Sequence, residues 1–496
     1  MLEEKKGMQT KGLTSIGNVI IASTTQGNEK IAAIDYKIKF MLDEKNIKNE
    51  LIFCSGGLTA CSMREVEKLD QRIHKESNKF NYACISCSLG LNSTEFNPIE
   101  IDEEQITYIN YSEAYMKSRK REEVCSKTTY KDINIHEHAR SSLVRYIGRP
   151  LQKGEETTNQ SLKEMYESYV KSACAVVDQW DALLCTKQTS RVILNHGLYI
   201  PQGIILEVAR KYNVPVTTWH LGYRKNTMLI AHGDTYHKTL IEPINENYLN
   251  LPLEKEKEKI LSEYMLSRRT GEQDQISFIY KDGKSQNNIL SSIKSLTQGK
   301  INFLVPTNVS WDAQSHFKLN AYASMEEWID DVITIAAKLS DKANFIFRCH
   351  PAEITGKRKS RYSSSEYIRK RIKKSNNILV IRPDEKVSTY DLIDYCDAGI
   401  IYASKVGIEI AYSGKELIVC GEACIRSKGI ARDVRNKSDL ESYIEQIISG
   451  DKRIDKQKAA KYAYHIFFEE MSRWNRLEEN QNREDDELIT KRLLQL

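Results

Sequence analysis

Two groups of polar residues, each placed directly after an apolar β-type run, are the side chains of this sequence best suited to chemistry. The first group belongs to FIFRCHPAE, residues 345–353, and the second to AGIIYASKVGIEIAYSGKELIVCG, residues 398–421. The second run leads into a small-residue turn and then into a helical pattern. Free backbone N–H groups and the helix dipole at such a turn both favour an anion. The two segments therefore predict a pocket for a nucleotide phosphate.

His350 ends the first run and is followed by Pro351, which fixes the backbone as the chain leaves the strand. A histidine at this place can donate a hydrogen bond to a phosphate oxygen or, as imidazolium, offset the charge of a departing nucleotide. The alternative is a histidine that is merely packed at the strand end. Arg348 would share the same face of a regular strand, where it could contact the ligand or form a salt bridge.

The second segment offers four candidates for contact with the nucleotide. Ser404 can cap the helix and bind a phosphate, and Gly407 permits close approach of the backbone. Glu409 falls in the first helical turn, where the dipole favours a carboxylate that could bind ribose hydroxyls. Simple helix capping is the alternative for these residues. Lys405 could pair with a phosphate or remain solvated.

Other strand ends carry further candidates. In PTNVSWDAQSHF, residues 306–317, Trp311 could stack on a base or sugar and Asp312 could accept a hydrogen bond, although both could equally be structural. His196, Glu207 and His138 are candidates for proton transfer. Glu207 lies inside a helical pattern, so a surface or interdomain salt bridge is the competing interpretation.

The loop after VPVTTWHLG, residues 214–222, adds a basic cluster that could contact an acidic sugar or an acceptor. Its members are His220, Arg224 and Lys225.

The cysteines give only a weak metal signal. Cys54, Cys61, Cys84 and Cys87 form C-x6-C and C-x2-C pairs that a structural zinc could use, but packed or free thiols are the favoured interpretation. The sequence lacks a Walker lysine motif, a G-x-S-x-G elbow and an H-E-x-x-H helix. We therefore expect no metal and no resident cofactor, and the commonest NTPase, hydrolase and protease classes are excluded.

Strand and helix patterns alternate in two series. The first contains strand patterns at 18–24, 49–56, 191–197 and 214–222, with helical patterns at 31–46 and 200–213. The second contains strand patterns at 301–308, 344–351, 378–383, 399–404 and 416–421, with helical patterns at 324–341, 366–375, 388–397 and from residue 406. Such alternation is typical of parallel α/β sheets, in which ligands bind beyond the carboxyl ends of the strands.

The two series predict two Rossmann-like domains. We expect an N-terminal domain at 1–245, a charged helical linker or insertion at 246–298 and a C-terminal domain at 299–455; the family resemblance given below implies that the first is the acceptor side and the last binds a nucleotide sugar. A helical segment at 456–496, with its pattern clearest over 456–480, could cross back to the N-terminal domain.

Composition limits the class of protein. Of the 496 residues, 40% are hydrophobic and 28% are charged, which is typical of globular domains. The net charge of +5 arises from 73 basic and 68 acidic residues, too diluted to predict a nucleic-acid partner. The apolar runs are too short to span a bilayer, and MLEEKKGMQTKG lacks a secretory signal. The eleven cysteines are scattered, as is typical of reduced thiols. These features together predict a cytoplasmic protein.

Several blocks within residues 15–440 resemble the bacterial capsule polysaccharide biosynthesis proteins, a family that includes Kdo transferases. The blocks are CSGGLTAC, ILNHGLYIPQGIILEVARKYNVPVTTWHLGYRKNT, PTNVSWDAQ, FRCHPAE and STYDLIDYCDAGIIYASKVGIEIAYSGKELIVCG. The resemblance implies a GT-B fold, in which two Rossmann-like domains face each other across a cleft and the C-terminal one holds a nucleotide-sugar donor. Its donor-binding features fall on His350, Pro351, Ser404, Gly407 and Glu409.

Two positions depart from the pattern of the relatives. Lys405 stands where a second serine or threonine is expected, and Trp219-His220-Leu221-Gly222 lacks the charged residue that relatives tend to carry before the glycine. Both departures bear on the identity of the donor and the acceptor.

The leading hypothesis is an inverting, metal-independent glycosyltransferase. It would move a sugar from a nucleotide-sugar donor, which could be a CMP-activated acidic sugar, to a capsule or other cell-surface polysaccharide or its lipid-linked primer. Such a glycolipid acceptor would bring the enzyme to the inner face of the cell membrane as a peripheral protein. The alternatives are a CDP-polyol phosphotransferase of the teichoic-acid type, which needs a second histidine opposite His350, and a non-catalytic polysaccharide assembly or export scaffold.

Overall fold

The computed structural model of the chain describes residues 17–24, 28–61, 106–111, 129–277, 291, 293–294, 299–312, 320–355, 360–372, 375–474 and 483–496. Two parallel sheets organise these residues. The strands are β1 (Asn18–Ser23), β2 (Asn49–Cys54), β3 (Ile106–Ile109), β4 (Thr129–Tyr130), β5 (Ile133–Asn134), β6 (Thr189–Asn195), β7 (Val216–Leu221), β8 (Thr227–His232), β9 (Ile301–Pro306), β10 (Ala343–Arg348), β11 (Ile378–Ile381), β12 (Ala398–Ile401), β13 (Glu416–Val419), β14 (Arg432–Asp433) and β15 (Met471–Arg473).

The helices cover both faces of these sheets. They are α1 (Glu29–Glu44), α2 (His136–Ile147), α3 (Glu155–Thr158), α4 (Gln160–Thr186), α5 (Gln202–Lys211), α6 (Tyr236–Thr239), α7 (Glu246–Asn250), α8 (Lys255–Ser267), α9 (Met325–Lys338), α10 (Ala352–Thr355), α11 (Ser364–Arg371), α12 (Thr389–Asp394), α13 (Val406–Tyr412), α14 (Lys437–Ile448), α15 (Lys456–Tyr464) and α16 (Arg483–Leu494), with a π-helical turn at His465–Glu469.

The first sheet has the strand order β3-β2-β1-β6-β7-β8-β15. Its strands β3, β2, β1, β6 and β7 are parallel, whereas β8 pairs antiparallel with β7 and β15 pairs antiparallel with β8. The central strands β1 and β6 are buried on both faces, which explains why their sequences are continuous apolar runs. Strand order reverses between β1 and β6, so the loops that follow these two strands border the crevice of this domain.

The second sheet has the order β11-β10-β9-β12-β13-β14, and all its pairings are parallel. This is the order of a dinucleotide-binding Rossmann sheet, with its reversal between β9 and β12. Polar side chains cap the N-termini of the covering helices: Ser324 accepts a hydrogen bond from the backbone of Glu327 in α9, and Asn436 forms a reciprocal capping box with Asp439 in α14.

The chain crosses from the second domain back to the first after α15. The segment expected to be helical over 456–480 is a helix only to Tyr464; it then forms the π-helical turn and strand β15, which pairs with β8. Helix α16 packs against α1, where Lys37 and Asp486 form an ion pair of 2.9 Å. The strand was missed because three residues are too few to show a period of two.

Two Rossmann-like domains joined by a linker and a returning C-terminal segment constitute the GT-B fold, as the sequence predicted. One apolar cluster extends through the junction, from Leu229 of β8 through Leu261 of α8 and Tyr462 of α15 to Ile408 of α13. Within the described residues, no helix combines the length and the apolar character that a membrane crossing requires.

Candidate functional site

The carboxyl ends of the strands bring most of the predicted residues to the boundary between the two domains. In the second domain, the loop after β9 carries Trp311 and Asp312, and the loop after β12 carries Ser404 and Lys405. These loops flank the point where strand order reverses, and the backbone N–H of Ala403 donates to Asn308 Oδ1 at 3.4 Å between them. In sheets of this topology, ligands bind at that point.

His350 is half-buried at the end of β10, and its tautomer follows from its contacts. The backbone N–H of Ala352 donates to His350 Nδ1 at 3.0 Å, so in the neutral ring the proton resides on Nε2. Burial lowers the pKa of His350 to about 4, the charges of Arg348 and Lys405 act in the same direction, and Asp312 opposes them. The imidazole is therefore neutral at pH 7 and acts as an Nε2–H donor, while the imidazolium alternative finds no support in the resting site.

Lys405 faces the other domain. Its Nζ lies 4.2 Å from the centroid of the Tyr223 ring, which belongs to the loop after β7. Burial lowers the pKa of Lys405 to about 8, and the charge of Arg268 adds to this effect, whereas Glu409 opposes it. The ammonium group thus stays mainly protonated at pH 7 but lies in a partly desolvated place, where a cation interacts strongly with an anion.

Ser404 and Gly407 shape the turn after β12. The backbone N–H of Val406 donates to Ser404 Oγ at 3.4 Å. A Cβ atom on Gly407 would lie 2.5 Å from Ile401 Cδ1, so the glycine lets α13 pack directly onto β12. Gly407 therefore has a packing role, and the expectation that it admits a ligand close to the backbone stays a prediction.

Glu409 participates in a buried ion network. Arg268, at the end of α8, donates from Nε at 3.0 Å and from Nη2 at 2.6 Å to Glu409 Oε1, and from Nη1 at 2.5 Å to Asp274 Oδ1. All three side chains are almost completely buried. Asp274 also forms an isolated β-bridge with Arg224 of the first domain. Glu409 therefore anchors the interdomain linker through its Oε1 atom, which is a role that the sequence did not predict.

Arg348 and Pro351 support the walls of the site. The guanidinium of Arg348 donates to the carbonyl oxygens of Arg382 and Glu385 in the loop after β11. Pro351 begins the turn of α10, because its carbonyl accepts from the N–H of Ile354 at 3.1 Å. Both residues thus make backbone hydrogen bonds that shape the loops beside His350.

Trp311 and Asp312 lie between the domains. Trp311 Nε1 donates to Ser360 Oγ at 2.9 Å, and the guanidinium carbon of Arg145 lies 5.6 Å from the centroid of the Trp311 ring. Burial lowers the pKa of His350 in the second domain and that of His220 in the first, and the charge of Asp312 opposes this lowering in both. Asp312 therefore acts electrostatically on two imidazoles that belong to opposite domains.

The facing wall is a cluster of rings at the carboxyl edge of the first sheet. The His196 ring centroid lies 5.1 Å from that of His220, 5.2 Å from Tyr199 and 5.5 Å from His237, and the His220 centroid lies 5.0 Å from that of Tyr236. His196 has a left-handed φ of 64°, and Gly197 follows at 83°. Such backbone angles are unusual for a histidine and often occur at functional sites.

Glu207 and His138 lie within the first domain. Glu207 Oε1 forms an ion pair of 2.7 Å with Arg210 and lies 3.9 Å from His138 Nε2. Burial would raise the pKa of Glu207, but His138, Arg210 and Lys238 together lower it. His138 Nδ1 donates to the carbonyl of Leu198 at 2.6 Å. The salt-bridge interpretation of Glu207 thus agrees with the structure, and a depressed pKa makes this carboxylate a weak base.

Only two of the four cysteines considered as zinc ligands are among the described residues. Cys54 and Cys61 pack against the apolar core of the first domain, whereas Cys84 and Cys87 are outside the described residues. No group of three or more metal-binding side chains occurs among the residues with described positions.

Sequence reasoning missed Arg145, Arg268 and Tyr223 as parts of this region. Arg145 and Arg268 sit at helix ends without a motif, so their contacts depend on tertiary structure alone. Tyr223 adjoins the basic loop that the sequence did single out, and an aromatic residue beside a strand end was the available signal.

Comparison with known proteins was informative for the second half of the chain. Residues 255–461 match the model of a family described as capsule polysaccharide biosynthesis protein. The matched region holds the linker helix α8, the whole second sheet and the first part of α15, and therefore His350, Lys405 and the Arg268 network. No curated protein matches the chain.

Among solved structures, the chain is similar to two transferases of Thermosulfurimonas dismutans. KpsC, beta Kdo 2,4 transferase, shares 18% identity over 55% of this chain and 79% of its own, with a TM-score of 0.39. KpsC, beta Kdo 2,7 transferase, shares 13% identity over 58% and 79%, with a TM-score of 0.30. A UDP-GlcNAc 2-epimerase from Neisseria meningitidis bound to UDP-GlcNAc shares 11% identity over 91% and 98%, with a TM-score of 0.31. Likenesses this distant assign no residue role to this chain.

Proposed function

We propose that this protein is an inverting, metal-independent glycosyltransferase of capsule polysaccharide synthesis that uses a nucleotide-sugar donor. The observation that carries the proposal is the state of His350, a neutral imidazole whose Nε2–H is fixed as a donor at the end of a central Rossmann strand. Its position beside the reversal of strand order is where a nucleotide phosphate binds in such sheets. The capsule family match of residues 255–461 supplies the biological context.

The charges near His350 suit a leaving phosphate. When the bond between the sugar and the phosphate breaks, negative charge grows on the phosphate oxygen, and the Nε2–H of His350 stabilises it by a hydrogen bond. The ammonium of Lys405, held near Tyr223, supplies a positive charge on the same side. A CMP-activated acidic sugar is the first donor to test, because the sequence blocks around these residues resemble transferases that use such donors.

The acceptor class is proposed from the same match to the capsule polysaccharide family. A growing capsule polysaccharide or its lipid-linked primer would enter from the first domain, whose ring cluster faces the donor side across the boundary. A lipid-linked acceptor would place the enzyme at the inner face of the membrane. Lipid vesicles that carry the primer would then sediment with the protein, and bare vesicles would not.

The test compares two His→Ala variants, His350→Ala and His232→Ala. Thermal shift with CMP, CDP, UDP and GDP identifies the nucleotide, and release of that nucleotide from its sugar donor measures turnover, with and without EDTA. We expect His350→Ala to lower kcat by about 10²-fold or more. His232→Ala is the matched control, because His232 contacts Thr217 on β7 at 3.1 Å, away from the domain boundary. Retention of wild-type kcat by a folded His350→Ala protein would refute the role of His350.

The two histidines of the first domain favour a second candidate function. A CDP-polyol phosphotransferase needs a histidine on each side of its cleft, and His196 and His220 do lie on the wall opposite His350. The two reactions differ in product: the transferase releases the nucleotide with its phosphate from the sugar, whereas the phosphotransferase moves a polyol phosphate to the acceptor. Phosphorus analysis of the acceptor separates them. Stabilisation by none of the nucleotides would instead favour a non-catalytic scaffold.

A further inference from the structure

His220 stands beside His196 on the wall opposite His350, and strand pairing fixes its place. The register aligns Trp219 with Asn195, the last residue of β6, and His220 with Leu229 of β8. The Trp219 carbonyl accepts from the backbone N–H of His196 at 3.0 Å and from Asn195 Nδ2 at 3.1 Å. Strands therefore hold the backbone on both sides, and the imidazole is presented by a rigid element.

The hydrogen bond of the ring determines its tautomer. His220 Nδ1 lies 2.8 Å from the carbonyl oxygen of Leu221. Because a carbonyl can only accept, Nδ1 carries the proton, and the neutral ring has its lone pair on Nε2. Burial is the main cause that lowers the pKa of His220; the carbonyl bond and Asp312 raise it in part, and Arg145 lowers it further. At pH 7 the ring is therefore neutral and can accept a proton.

The groups around His220 belong to four elements. His196 ends β6, Tyr236 starts α6, Arg145 lies in the last turn of α2, and Asp312 follows β9 in the other domain. Asp312 also acts on His350. Contacts join the two domains at this place: the guanidinium carbon of Arg145 lies 4.3 Å from the ring centroid of Tyr199, the neighbour of His196, and 5.6 Å from that of Trp311 in the loop after β9. The two neutral imidazoles are complementary, because His350 carries an N–H and His220 a lone pair.

We propose that His220 is the general base of the transfer reaction, a role for which the sequence offered Glu207, His196 and His138 as candidates. Its Nε2 takes the proton of the acceptor hydroxyl while the hydroxyl oxygen bonds to the anomeric carbon of the donor sugar. The bond from that carbon to the phosphate oxygen breaks, and its electron pair leaves with the nucleotide, whose phosphate oxygen accepts from His350. The proton passes to water after product release. This inference rests on the proposed function.

The experiment is a matched pair of His→Gln variants. Glutamine keeps the approximate size and polarity of histidine but cannot take up a proton at neutral pH. His220→Gln is compared with His232→Gln, a histidine of the neighbouring strand β8 that contacts Thr217 rather than the ring cluster. The readouts are kcat and KM for the nucleotide sugar that the wild type uses, the pH profile of kcat, and the thermal shift with the corresponding nucleotide.

For His220→Gln we expect kcat to fall by about 10²- to 10⁴-fold, with the nucleotide thermal shift retained. The acid limb of the kcat profile, where protonation inactivates the wild type, should disappear. His232→Gln should behave as the wild type. A kcat within about 3-fold of wild type, an unchanged acid limb, or an equal loss in His232→Gln each overturns the assignment.

Two further outcomes are distinguishable. If His220→Gln melts at a lower temperature than the wild type, His220→Asn is measured by the same criteria, and imidazole is added to test for rescue of activity. Rescue supports a proton-transfer role for His220. The absence of rescue in the folded variant overturns that role. A wild type that turns over none of the CMP-, CDP-, UDP- and GDP-sugars refutes the proposed function itself. An active wild type with an equally active His220→Gln refutes only the base.

Discussion

Arg268→Met tests whether the buried ion network holds the two domains together. The substitution keeps a long apolar side chain in place but removes three hydrogen bonds, two to Glu409 and one to Asp274, from a residue whose side chain is 2% exposed. Two carboxylates then remain in a site that excludes water. Unit charges about 4 Å apart interact by about 4 kcal/mol at an effective dielectric constant of about 20. Breaking a buried ion pair typically costs about 3–5 kcal/mol, which is the loss we expect.

The neighbouring residue provides the control. Arg269 pairs with Asp391 and Asp394, but its side chain is 39% exposed, so Arg269→Met should cost no more than about 1 kcal/mol. Urea denaturation of both variants gives the free energy of unfolding. Adding Glu409→Gln to Arg268→Met should recover part of the loss, because it removes one buried charge. Equal losses in Arg268→Met and Arg269→Met, or no recovery in the double variant, would refute the reasoning.

Three other predictions concern the turn and the imidazole beside it. Gly407→Ala should lower the free energy of unfolding by about 1–3 kcal/mol, since the new Cβ would lie 2.5 Å from Ile401 Cδ1, and Ile401→Val in that background should restore part of it in thermal denaturation. The pKa of His350 falls from 6.5 to about 4 on folding, so its contribution to the stability of the native state is present above pH 6.5 and is lost as the pH falls from 6.5 towards 4. The urea midpoint of His350→Gln should therefore decrease less steeply with falling pH than that of the wild type. Lys405→Met should weaken binding of the nucleotide about 10-fold or more by calorimetry while leaving the melting temperature unchanged, and a wild-type affinity would exclude contact with the phosphate.

The sequence predicted the two sheets well because parallel strands that are buried on both faces have continuous apolar sequences. The expected strand at 301–308 is β9 (Ile301–Pro306), and the expected helix at 324–341 is α9 (Met325–Lys338). The polar residues after β10 and β12 were likewise visible, since strand ends can be read from the point where the apolar run stops. These local signals pointed to the residues that we propose for the donor side of the site.

Relations between distant segments could not be read in the same way. The contacts of Arg268 with Glu409 join residues far apart in sequence, and no local pattern marks them. The prediction that Glu409 binds ribose therefore missed its anchoring role. His220 was noted only as a contact for an acidic ligand, because its tautomer depends on a hydrogen bond to Leu221 that only the folded backbone shows.

The return of the chain to its first sheet has a consequence for synthesis. Strand β15 pairs with β8, and α16 packs on α1, so the first domain needs residues beyond 470, whereas the second sheet is complete by residue 433. At about 5–20 residues per second, the roughly 240 residues between β8 and β15 take about 12–50 s to translate. During that time the edge of β8 is unpaired, which is a known route to wrong association. The domain that leaves the ribosome first is thus the last to be finished.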